Sequence, residues 1–79
     1  MPTEIKLFAD FHNADKQGRV RLNTTGTFED LAKYNIILRP GLEVLLNDDD
    51  SLEANGVVEY SEDEKIWVAR IDWNKISET

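Results

Sequence analysis

The sequence predicts a mainly β, single-domain protein: a small, strongly bent antiparallel sheet of five to six strands carrying one short helix near residues 27–34. Three observations point there. Short stretches of alternating apolar and polar residues recur along the chain, the period that turns one strand face inward. Turn residues separate them, at Gly18, at Pro40-Gly41 and after Asn47. Only the stretch opening at Thr27 has apolar residues at helical spacing. The 79 residues hold material for one hydrophobic core, and no linker, repeat or low-complexity segment divides 1–79.

From Glu4 to Phe11, Ile5, Leu7, Ala9 and Phe11 alternate with Glu4, Lys6 and Asp10, and Phe8 alone breaks the pattern as an outward aromatic. Asp15-Lys16-Gln17-Gly18 supplies a hairpin loop with glycine where positive φ is needed. Arg19–Asn23 is read as the second strand of that hairpin, with Val20 and Leu22 inward and Arg19 and Arg21 outward. Thr27 is placed as the helix cap, Phe28, Leu31 and Ala32 as its buried face, and Asn35 as the left-handed residue closing it.

Arg39-Pro40-Gly41-Leu42 reads as a type II turn, because proline presets φ at its second position and glycine accepts positive φ at its third. Leu42, Val44 and Leu46 mark the next strand, which ends at the acidic run Asp48-Asp49-Asp50-Ser51. Leu52–Tyr60 follows, bent near Asn55-Gly56. Ser61–Lys65 turns the chain into Ile66–Trp73, with Trp67, Ala69, Ile71 and Trp73 on one face and Ile66 and Val68 on the other, the pattern of a central strand. Asn74–Thr79 is expected to fray.

The order turn, Leu42-Glu43-Val44, acidic loop, Gly56-Val57-Val58, turn, Trp67-Val68-Ala69 resembles the cadence of an SH3-like barrel over residues 40–73. A helix at 27–34 is not part of that pattern, and the other architecture the elements allow is an α+β roll with the helix across the sheet. The resemblance is to a barrel outline and implies no particular activity.

Composition narrows function. Cysteine is absent and there is one histidine, so disulfide, thiolate and Cys/His zinc chemistry are excluded. The start Met1-Pro2-Thr3-Glu4 lacks the features of a signal or transit peptide, and no apolar run is long enough to span a bilayer, so the chain reads as cytoplasmic with no membrane contact. Net charge is −7: residues 1–40 hold six Lys/Arg against five Asp/Glu, residues 41–79 three against eleven. Such a balance disfavours general binding to phosphate backbones and suits a basic partner protein.

No catalytic, cofactor or metal site emerges. Asp48, Asp49 and Asp50 with Glu59 have the outer spacing of an EF-hand loop, but Leu52 and Glu53 stand where that loop needs a polar ligand and glycine, so the run reads as a strand-ending turn. Asp10, His12 and Asp15 read as exposed polar residues without a nucleophile beside them. The leading expectation is a non-catalytic protein-interaction or accessory module, using an exposed sheet face, Trp73 or the acidic 48–64 region with Asp48, Asp49 and Asp50. The alternative is single-stranded nucleic-acid binding, with a base stacked on Phe8 and phosphates on Arg19 and Arg21. Monomer and edge-strand dimer both remain open.

Overall fold

A computed structural model describes residues 5–49 and 51–78. Its elements in chain order are β1 (Lys6–Phe8), β2 (Val20–Arg21), α1 (Thr25–Lys33), β3 (Glu43–Asn47), β4 (Leu52–Ser61), β5 (Ile66–Ile71), a 3-10 turn (Trp73–Lys75) and β6 (Ser77–Glu78). The strands form one sheet in the order β1-β3-β4-β5-β2, with β6 on the first residues of β4. It curls into an open half-barrel, the mainly β, strongly bent sheet with one short helix that the alternation predicts.

The concave face holds the core. Leu7, Val44, Leu46, Ala54, Val58, Ala69 and Val20 come inward by strand alternation, joined by Ala9, Phe11 and Leu22 from the flanking segments. Trp67 and Ile71 pack against them, as their spacing with Ala69 requires. Gly56 lets β4 bend: a Cβ there would stand 3.1 Å from Ile71 Cγ2 and 3.3 Å from Ala69 Cβ. Gly18 (φ 78°) and Gly41 (φ 87°) occupy the left-handed region their turns demand.

The pairing of β1 differs from the hairpin expected of it. β1 runs parallel to β3, in the register Lys6↔Leu45 and Phe8↔Asn47, and does not touch β2 in the sheet order. The cause is local. The Asp10 carboxylate accepts the His12 N–H at 2.9 Å and its carbonyl accepts that of Asn13, which turns the chain away directly after Ala9. The Gly18 loop then closes a much shorter hairpin, Ala14 against Val20.

Four further expectations are corrected. The helix cap is Thr24, whose Oγ1 accepts the Thr27 N–H, while Thr27 itself is buried. Phe28 and Ala32 are exposed because α1 docks through Gly26, Thr27, Asp30 and Leu31 instead. Asn35 does close the helix at φ 54°, with Asn35 and Ile36 N–H donating to the carbonyls of Ala32 and Leu31. At the other end, β5 stops at Ile71 because Asp72 caps the 3-10 turn, so Trp73 leaves the face of Trp67. Ser77 and Glu78 pair with β4 rather than fray.

Candidate functional site

Two polar assemblies decide what surface is left for a partner. The first covers the outer face of β2, β5 and β4. In the row Arg21–Val68–Glu59, Val68 points away from the core and is nonetheless fully buried. Charged side chains roof it. Arg19 Nε meets Asp15 Oδ2 at 2.9 Å and its Nη1 meets Glu59 Oε1 at 3.1 Å, and Arg70 Nε meets Glu59 Oε2 at 2.7 Å. Arg21 grips Glu64 with two bonds of 2.7 Å and also donates to Asn13 Oδ1 and the Ala14 carbonyl. Three arginines are thus balanced by Asp15, Glu59 and Glu64.

The carboxylates register this. Burial works to raise the Asp15 pKa, but the backbone N–H groups of Arg19 and Gln17 and the Arg19 guanidinium together carry it below its ordinary value. Hydrogen bonds from Arg70 and then Arg19 lower that of Glu59, and the Arg21 bonds lower that of Glu64.

The second assembly joins α1 to the open edge of β1. In the parallel ladder Ile5 and Ala9 bond to β3, so the main-chain groups of Lys6 and Phe8 face the other way. Phe8 N–H donates to Asp30 Oδ2 at 2.8 Å and Thr27 Oγ1 donates to the Phe8 carbonyl at 2.6 Å. Next to this clamp is a groove of about 650 Å³ lined by Ile5, Lys6, Asp30, Tyr34, Ile36 and Asp49, among others. Lys33 Nζ stands 5.3 Å from the ring centre of Tyr34, and Ile37, next in the chain to Ile36, is 81% exposed. This α1 side is the candidate site.

The residues singled out by sequence are dispersed. Phe8 lies on β1, at the opposite end of the strand order from Arg19 and Arg21, and its ring packs on Gly26. Arg19, expected outward, is only 8% exposed, and both arginines are engaged by carboxylates. Trp73 is half-exposed; its Nε1 donates to the Gly18 carbonyl at 2.7 Å and its ring meets Phe11 edge-on. Asp48 Oδ1 accepts the Ser51 and Leu52 N–H groups, Asp49 is exposed at φ 60°, and Asp50 lies outside the described residues. Among the described residues no group of three or more His, Cys, Asp or Glu could hold a metal ion, and no helix is long and apolar enough to cross a membrane.

Sequence reasoning missed Tyr34 and Ile37. The available signal was Tyr34-Asn35-Ile36-Ile37-Leu38, where consecutive apolar residues after a helix stop cannot all face one core.

No protein-family model matches the chain, and no solved structure matches it. A stretch of 55 residues, 70% of the chain, is 44% identical to cobyric acid synthase of Phocaeicola vulgatus. The match spans 11% of that enzyme's length.

Proposed function

We propose that this domain is a non-catalytic interaction module that contacts another protein through the α1 side of the half-barrel. The observation that carries the reading is the division of the surface. Arg19, Arg21 and Arg70, whose guanidinium groups would otherwise meet phosphates, are held in ion pairs, while Phe28, Tyr34 and Ile37 stand exposed along and beyond one helix. Exposed large apolar side chains beside a groove are a feature of contact surfaces. The similarity to 11% of the length of cobyric acid synthase supports a unit that can be carried within a larger chain.

The test is site-specific crosslinking in lysate of the native host. A photocrosslinking amino acid at position 37 is expected to give a discrete adduct that the same group at position 16 does not give. The adduct protein, identified by mass spectrometry and purified, is then expected to bind the unmodified chain at least about tenfold more tightly than the Ile37→Asp variant, the loss of a central apolar contact. Identical adducts from both positions, or equal affinity of the two chains, would overturn the assignment.

A further inference from the structure

We infer that the cavity between the Asp15–Arg19 loop and the turn after β4 is a binding site for a small, singly charged carboxylate. It shares no lining residue with the α1 groove, so the inference goes beyond the module reading and is independent of it. The cavity measures about 250 Å³. With about 30 Å³ to each water-sized group, an acid of about four to eight non-hydrogen atoms fits. Arg19, its side chain only 10% exposed, is part of the wall.

The argument comes from what the buried polar groups leave unbonded. Arg19 commits Nε to Asp15 and Nη1 to Glu59, and among the described residues Nη2 meets no acceptor. No fully buried side-chain N or O atom among the described residues lacks a hydrogen-bond partner, so Nη2 is open to solvent on a side chain that lines the cavity. Ser61, 1% exposed, lines the same space. Its Oγ accepts the Glu64 N–H at 3.2 Å, which leaves the hydroxyl proton to donate. Lys16 and Gln17 bring further donors to the lining.

The nearby acceptors are already engaged. Asp15 Oδ1 takes the N–H groups of Gln17 and Arg19, Oδ2 takes Arg19 Nε, and both oxygens of Glu64 hold Arg21. A ligand must therefore supply acceptors, and a carboxylate offers two oxygens in one plane to charged and hydroxyl donors. Asp63, on the exposed turn, carries a lining charge that none of these bonds neutralises. It opposes a second negative charge, which restricts the ligand to a monoanion and disfavours a phosphate chain.

The test titrates sodium acetate into the ¹⁵N-labelled full chain at about pH 7, where the acid is ionised, with sodium chloride holding ionic strength constant. Saturable shifts are expected at the Arg19 Nε–H and the amides of Gln17, Ser61 and Glu64. Ser61→Ala is expected to weaken binding about tenfold, the loss of a hydrogen bond to a charged group. Lys16→Gln is expected to weaken it about threefold and Asp63→Asn to tighten it about threefold, the scale of exposed charge pairs. Malonate, a dianion at this pH, is expected to bind more weakly than acetate. An acetylated Gly-Gly-Ala peptide with a free C-terminus identifies the source: tighter binding than acetate assigns the carboxylate to a chain end, weaker binding to a free acid, and either result supports the site. Shifts that grow without saturating, equal affinity of the parent, Ser61→Ala and Asp63→Asn chains, or malonate binding more tightly than acetate would overturn the inference.

Discussion

Gly26→Ala should destabilise this protein, although the same change in most helices stabilises. Gly26 lies in the first turn of α1, where alanine ordinarily gains about 0.5–1 kcal/mol through the reduced entropy of the unfolded chain. A Cβ at this position, however, would stand 2.6 Å from Phe8 Cδ2, 2.9 Å from Cγ and 3.1 Å from Cε2. Cγ is anchored close to the backbone, and the Phe8 backbone is clamped by Thr27 and Asp30 on the same helix, so neither side can withdraw cheaply. Overpacking of this kind costs about 1–3 kcal/mol. The net expectation is a loss of about 1 kcal/mol, equivalent to about 4–8 °C in Tm for a chain of this size. In a Phe8→Ala background the obstacle is gone, and Gly26→Ala should instead stabilise by about 0.5–1 kcal/mol, giving a coupling of about 2 kcal/mol. Urea unfolding of the four proteins, followed by tryptophan emission and circular dichroism, reads this directly. A Gly26→Ala chain more stable than the parent, or a coupling near zero, would refute the close helix–strand contact.

Other outcomes follow from the two polar assemblies. Thr27→Val keeps the shape of a buried side chain but leaves the Phe8 carbonyl without its donor, and should cost about 1–3 kcal/mol in urea unfolding. Asp15, Glu59 and Glu64 have pKa values below their ordinary ones in the folded protein, so the unfolded chain binds protons first as pH falls. Their stabilisation is complete above the unfolded values, 3.8 for Asp and 4.5 for Glu, and is lost progressively below them; the urea midpoint should fall with pH there, less steeply in Glu59→Gln. Arg19→Ala with Arg21→Ala should lower Tm while leaving oligonucleotide binding at low salt unchanged, measured by fluorescence anisotropy, since both guanidinium groups are engaged by carboxylates.

Much of the fold was legible because it is written in local rules. Val44 and Leu46 alternate into the core, Trp67, Ala69 and Ile71 share a face, and Gly18, Asn35 and Gly41 take the positive φ their neighbours demand. What was not legible depends on partners distant in sequence. Arg19 looks outward from its strand position, and its burial follows from Glu59, forty positions away, as well as from Asp15 in the adjoining turn. Phe8 breaks the alternation for a reason no strand rule contains: its ring fills the space left by a glycine in a helix. The parallel pairing of β1 with β3 likewise needs the Asp10 turn and the α1 clamp together. The candidate site was the least visible part, because Tyr34 and Ile37 are notable for what they do not bury.

The treatment of the sheet edges bears on association. An open half-barrel ends in two edge strands, and unprotected edges invite pairing with a second copy. Here Thr27 and Asp30 consume both main-chain groups of Phe8 on β1. On β2, Asn13 accepts the Arg21 N–H and Asp15 donates to the Arg19 carbonyl, so that edge is covered by the chain's own preceding residues. Pairing through either would first require breaking bonds made by a buried threonine or by a turn under the Arg19 ion pairs. The edge of β4 is different: its cover is a two-residue strand held through one half-exposed tryptophan and one isoleucine. Among the described residues, a second strand would therefore meet the lightest cover of these three edges at Leu52–Glu53.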